Sequence, residues 1–291
     1  MSNNIFSGLE NLGFDDVSSV NLYKKEEEDK TPQLEEKSED DKIKSLLYDR
    51  QVTCPVCESS FKARSVKTSA YRIEKQDSDF FIKYALINPY FYDVWVCSSC
   101  GYSAMKNDFS KIRNYQCDAI KEKITSRWTG KTYPEVYDIN IAIERYKLSL
   151  LSYYVIEAKA SKKAMNCLKL AWMYRILGDE ANELTFIKQA LEGFNDAFFN
   201  EDFPLYGMDK FTSMYLIGEL NRRVGNDDEA LNWFSKVVAT PGASSKIKDK
   251  CRDQRDLIKE LQSKNSTDNI EDVSEEDDKK NKKGFFSRFF K

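Results

Sequence analysis

The chain has 291 residues, of which 41% are hydrophobic and 32% charged, and 45 Lys+Arg stand against 48 Asp+Glu with no histidine. That length holds two modest domains plus tails, and a net charge of −3 gives no bulk field that would single out nucleic acid. The missing histidine removes the usual general base at neutral pH and leaves cysteine to build any soft metal site.

The first residues, Met1 to Gly13, carry no basic segment followed by a long apolar run. No stretch approaches the roughly 20 apolar residues that cross a bilayer. A reducing cytoplasm is therefore the expected compartment, and in it paired CxxC motifs are more often metal ligands than disulfides.

In chain order, Ile5, Phe6, Leu9 and Leu12 are spaced along one helical face, with Gly13 as a stop. Residues 24–45 are rich in Lys, Glu and Asp and read as a solvated linker, so 1–45 is expected to be a disordered arm with a short amphipathic segment. Compact structure is expected from Leu46-Leu47-Tyr48 onward. Cys54-Pro55-Val56-Cys57 and Cys97-Ser98-Ser99-Cys100-Gly101 are two tight turns, each able to present two thiolates to one ion. Strand signals lie between them: Phe61–Lys67, Ala70–Lys75, and the aromatic, β-branched Tyr92–Val96 leading into Cys97. Strand, knuckle, strand is the build of a zinc ribbon. Cys54, Cys57, Cys97 and Cys100 are thus predicted to hold a structural Zn2+ in a domain over 46–130.

The 39 residues from Glu58 to Val96 form a long insertion for a ribbon. Closing such a loop costs only a few kcal/mol, against on the order of 10 kcal/mol or more from a structural zinc. Removing the metal is expected to unfold this domain. A thioredoxin-like redox pair explains only one CxxC and needs a βαβ context absent around residue 54. A catalytic zinc needs an open position that four thiolates deny it.

Asp77 and Asp79, near Arg72, Lys75 and Asn88, form a polar cluster. An Asp-x-Asp can hold a hard cation or serve as a turn pair around Ser78. From Arg50 to Arg113 ten Lys/Arg face six Asp/Glu, and a tetrathiolate zinc subtracts about two charges. Nucleic-acid binding is kept as the alternative function. No Gly-rich phosphate loop or nucleophile elbow is present, and no enzyme is expected.

Residues 138–262 read as helical: 139–159, 162–177 stopped by Gly178-Asp179, 180–194, 211–224 stopped by Gly225-Asn226, 227–238, and 245–261. Two hairpins can be laid on the tetratricopeptide pattern. The first has Leu170-Ala171, Tyr174, Gly178 and Ala190; the second has Ile217-Gly218, Gly225, Ala230, Phe234 and Pro241. Small Gly218 and Ala230 would let paired helices approach, with Leu170, Tyr174, Trp233 and Phe234 filling the gaps. The spacing exceeds the repeat's, with Asn195–Lys210 read as an insertion. A tetratricopeptide-like helical domain over 131–262 is expected, offering a groove to a protein or peptide. Cys167 and Cys251 read as buried helical fillers, with Cys117 also left over.

The motif order in the zinc half resembles a bacterial family. It runs Leu47-Tyr48-Asp49, Val52-Thr53-Cys54-Pro55-Val56-Cys57, Phe61, Arg72, Glu74-Lys75, Asp77-Ser78-Asp79-Phe80, Asn88-Pro89, and Val94-Trp95-Val96-Cys97 to Cys100-Gly101-Tyr102. It is similar to domain-of-unknown-function family 2225, found widely in Firmicutes. The resemblance implies a cytoplasmic bacterial protein and implies no activity. Glu58 departs from the glycine that often follows such a knuckle to tolerate positive φ.

Residues 263–291 read as a disordered linker ending in Gly-Phe-Phe-Ser-Arg-Phe-Phe-Lys. Phe285, Phe286, Phe289 and Phe290 fall within about 140° of a helical wheel, with Lys282, Lys283 and Arg288 beside or opposite them. Such a tail is expected to dock weakly and reversibly on an anionic membrane or on a partner. The sequence therefore predicts an α+β protein: a zinc-ribbon-like β domain, then a tetratricopeptide-like α-helical bundle, with disordered termini. Its expected role is a non-enzymatic, zinc-stabilised adaptor, cytoplasmic with membrane association through the tail.

Overall fold

A computed structural model describes residues 39–264. The N-terminal stripe at Ile5, Phe6, Leu9 and Leu12 lies outside the described residues, as does the aromatic-basic tail with Lys282, Lys283, Phe285, Phe286, Arg288, Phe289 and Phe290.

Residues 39–45, expected as linker, form a short helix α1 (Glu39–Ser45). The ammonium of Lys67 donates to the Ser45 carbonyl at 2.8 Å, and Lys44 pairs with Glu135 at 3.0 Å. Strands β1 (Leu47–Thr53) and β2 (Ser60–Val66) pair antiparallel, Leu47 opposite Val66 and Thr53 opposite Ser60. Alternation puts Val52 and Phe61 on one side of this ribbon, and the Asp49–Arg64 ion pair and the buried Leu47–Val66 pair on the other. The first CxxC is its turn. Strands β3 (Ile73–Gln76) and β4 (Ile82–Tyr84) form a second hairpin. Asn88 then accepts from the Tyr90 amide at 3.0 Å and caps a 3-10 turn over Pro89–Tyr92. Tyr92 therefore belongs to this turn rather than to the strand read from Tyr92–Val96. Strands β5 (Val94–Val96) and β6 (Ser103–Met105) make the third hairpin, with the second CxxC at its turn.

The chain continues through α2 (Asn114–Lys123) and α3 (Ile139–Val155), whose start is capped by Asp138 accepting from the Ile141 amide at 2.8 Å. There follow α4 (Ala160–Leu177), α5 (Glu180–Asn200), α6 (Lys210–Arg223), α7 (Asp227–Ala239) and α8 (245–264). Helix α3 stops four residues short of the boundary read from the sequence, since Glu157 takes φ +49°. Glu201 caps α4 from afar: its carboxylate accepts from the Ser161 amide at 2.9 Å and the Ser161 hydroxyl at 2.7 Å. The segment 195–210 is helical to Asn200 rather than inserted from its first residue. Ala197 is buried and Phe198 packs edge-on against Trp233 at 5.1 Å, so the last turn of α5 has a surface to cover.

Consecutive helices pack on one another, α4 with α5 and α6 with α7 most extensively. At the α6–α7 crossing a Cβ on Gly218 would lie 2.6 Å from the Phe234 ring. At the α4–α5 crossing Gly193 meets Ala164 in the same way, a contact not legible in the repeat pattern. The described residues from Asp40 onward form one compact unit. A single buried apolar cluster runs from Cys54 to Ile258, so the boundary drawn between residues 130 and 131 falls inside continuous packing. Phe81 from the end of the β3–β4 turn stacks on Trp172 of α4 at 5.5 Å, within that cluster.

Candidate metal centre

The two CxxC turns are built alike. In the first, the Cys54 amide donates to the Ser59 carbonyl and the Glu58 amide to the Cys54 carbonyl, each at 2.9 Å. In the second, the Cys97 amide donates to Tyr102 and the Gly101 amide to Cys97, again each at 2.9 Å. The residue after each knuckle takes positive φ, +61° at Glu58 and +76° at Gly101. Glycine is needed at 101 for a second reason: a Cβ there would lie 2.7 Å from the Trp128 ring, whose Nε1–H donates to the Ser98 carbonyl at 2.8 Å. The Thr125 hydroxyl holds the Cys100 carbonyl at 3.0 Å.

These turns bring Cys54, Cys57, Cys97 and Cys100 together, as the sequence predicted. Sγ of Cys54 is 3.6 Å from that of Cys100, and Cys57 is 3.6 Å from Cys97. A metal–sulfur distance of about 2.3 Å places tetrahedral ligand atoms about 3.8 Å apart, whereas a disulfide brings sulfurs to about 2.0 Å. The donor set and its spacing fit a tetrahedral thiolate metal ion. All four positions are supplied by the chain, three of them buried and Cys57 exposed. Ser59 lies 2.9 Å from Cys57 Sγ and 3.5 Å from Cys97 Sγ, a hydroxyl partner to two of the sulfurs. Hydrogen bonds from Cys100 and Cys54 lower the Cys97 pKa, while the same contacts with Cys54 and Cys97 raise that of Cys100. Only a cation would let all four ionise together.

Cys117 sits beside the first knuckle, its thiol 3.6 Å from the Pro55 carbonyl. Cys167 and Cys251 are buried in α4 and α8, and burial pushes both thiols up to about 12.

The structure carries Asp77 and Asp79 to a different place. Asp79 is 0% exposed at the β3–β4 turn, where its carboxylate accepts from Arg175 at 3.2 and 2.6 Å and from Trp172 Nε1–H at 3.1 Å. Arg223 approaches the same carboxylate to 3.5 Å, and Arg175 also reaches Asp77 at 3.2 Å and Glu183 at 2.7 Å. Buried Glu219 completes the cluster, accepting from Ser78 at 2.6 Å and Arg223 at 2.8 Å. Burial alone would raise the Asp79 pKa, but Arg175 and Arg223 overcome it and hold the carboxyl below the usual range. Its oxygens are committed to guanidinium donors, so the pair anchors the hairpin to α4 and α6 rather than facing a cation. Arg72 and Lys75 remain exposed outside the network.

No helix among the described residues is long and apolar enough to cross a membrane. No curated protein matches the chain, and no solved structure does. The model of a family described as an uncharacterized protein conserved in bacteria (DUF2225) matches residues 47–258, from the start of β1 into α8 and across both knuckles. On that match over most of its 291 residues, the chain belongs to the DUF2225 family.

Proposed function

We propose that the protein is a non-enzymatic adaptor whose strand half is stapled by a structural zinc ion. Closure of the thiolate cluster carries this reading: four cysteines from two hairpins fill a tetrahedral coordination shell and leave no position for substrate or water. The adaptor surface is the helical half. A groove of about 470 Å³ between α3, α4 and α5 is lined by Leu150, Tyr154, Ala164, Phe186 and Gly193, with Lys163, Glu192 and Asp196 at its side. Tyr154 is 75% exposed there. These features suit a partner segment with apolar side chains and a polar flank of mixed charge. The aromatic-basic C-terminal residues supply the second contact, with an anionic membrane surface.

The test is vesicle co-sedimentation of the full chain, assayed for zinc, with and without residues 284–291. Tail-dependent binding to anionic vesicles is expected, with about one zinc per chain in both forms. Absence of binding in either form would remove the membrane from the proposal. Oligonucleotide binding that falls steeply with salt would put a nucleic-acid-binding function in place of the adaptor.

A further inference from the structure

Arg145, on α3, is 3% exposed, and its Nε–H finds no acceptor. Its other amino groups donate to the Val94 carbonyl and, at 3.4 Å, to the Tyr137 hydroxyl. The guanidinium lies 4.8 Å from the Tyr133 ring centre and 4.5 Å from that of Tyr137. No carboxylate among the described residues forms an ion pair with it. Burying a cation without an ion-pair partner costs several kcal/mol, which two desolvated ring contacts of about 2 kcal/mol each and the more distant Glu144 offset, while Nε–H stays without an acceptor. Arg145 forms part of the wall of a cleft of about 220 Å³, together with Lys62, Ser98, Lys131, Thr132 and Tyr133. Lys62 also has no carboxylate partner among the described residues. Lys131 pairs with Glu144, which accepts as well from the Tyr133 hydroxyl at 2.9 Å. Three cations against Glu144 leave a local surplus of two positive charges around a space open to solvent, a field that the about −2 of a tetrathiolate zinc at the adjoining knuckle offsets in part.

We propose that this cleft binds a small phosphate monoester, its dianionic phosphate held between Lys62 and Lys131 over Arg145. Two ammonium groups and a guanidinium on one cleft offer more charge-assisted donors than a single carboxylate uses and suit the oxygens of a phosphate, and the volume admits a phosphate with a small body but no polymer. The Ser98 and Thr132 hydroxyls are further donors, and Phe61 and Tyr133 give the body flat walls. Ser98 lies between Cys97 and Cys100, so the ligand would rest against the second knuckle. The site stands independently of the adaptor reading.

Calorimetric titration of the metal-loaded full chain, at constant ionic strength, would use ribose 5-phosphate and AMP as probes, with inorganic phosphate, succinate and chloride as comparisons. Saturable binding of at least one monoester is expected, weakened about tenfold or more in Lys62→Ala and in Lys131→Ala, the loss of one charge-assisted hydrogen bond. Both lysines reach the surface, so these variants keep the test open where Arg145→Met fails to fold. Monoesters that bind no better than succinate or chloride, or that bind both lysine variants as they bind the parent, would overturn the proposal. Binding of inorganic phosphate alone would overturn the monoester assignment.

Discussion

Glu58 holds a left-handed backbone at φ +61° where its counterpart in the second knuckle is Gly101. That conformation costs a non-glycine residue about 1–2 kcal/mol. Glu58→Gly is expected to raise stability by about 1 kcal/mol in denaturant unfolding, a gain trimmed by the greater entropy of an unfolded glycine. Cys97→Ser removes one buried thiol of the proposed zinc site, and metal analysis of the purified variant is expected to show no bound zinc. Asp79→Asn removes the most buried carboxylate that Arg175 and Arg223 share, leaving them Asp77, Glu183 and Glu219, and is expected to cost about 1–3 kcal/mol. The cysteines were legible because each pair lies within four residues and the spacing states the chemistry. The partners of Asp79 were not. Arg175 is 96 positions away, and nothing local distinguishes it from a surface arginine on a helix.

Among the elements, the β3–β4 hairpin has the sharpest energetic signature. Its Asp79, like Asp93 after the 3-10 turn, is buried and held below the usual carboxylate range by cations: Arg175 and Arg223 for the first, Lys169 and Lys106 for the second. Carboxyls depressed in the folded state contribute stability that is fully present above their unfolded pKa, about 3.9. That stability is lost as pH falls through the folded values. Thermal unfolding is expected to be flat in this contribution near pH 6 and to fall steeply below about pH 4, with the fall reduced in Asp79→Asn. The helices were readable because periodicity, Gly178 and Gly225 mark their ends, while α3 ended early at Glu157, a residue without a terminating signature. Strand β1, LYDRQVT, lacks an apolar run and is fixed by its pairing with β2 across the knuckle. Such pairing is a long-range fact that a local window does not contain.

At the scale of the whole molecule, the continuous core ties the cysteine cluster to the helices. Stripping the proposed zinc with a chelator is expected to lower the melting temperature of the entire described unit, since Cys54, Cys97 and Cys100 share one apolar cluster with α3 to α8. Circular dichroism before and after chelation checks this. Retention of the original melting temperature would mean that the cysteine cluster is not a staple. The α+β class and its order of halves followed from composition and motif spacing. The merging of those halves did not, because it rests on contacts such as Phe81 with Trp172 that join distant segments.

The β3–β4 hairpin lies inside the stretch of chain that the two knuckles close, and its tip is anchored independently between α4 and α6. The two cysteine pairs are therefore not the ends of a free loop. Arg175, Arg223 and Trp172 grip the middle of that loop and raise the effective concentration of one thiol pair at the other. Affinity for the proposed zinc is then partly a property of helices that never touch the cysteine cluster. Weakening the anchor at Asp79 should loosen the ion's hold through geometry alone, as a longer tether weakens a chelator.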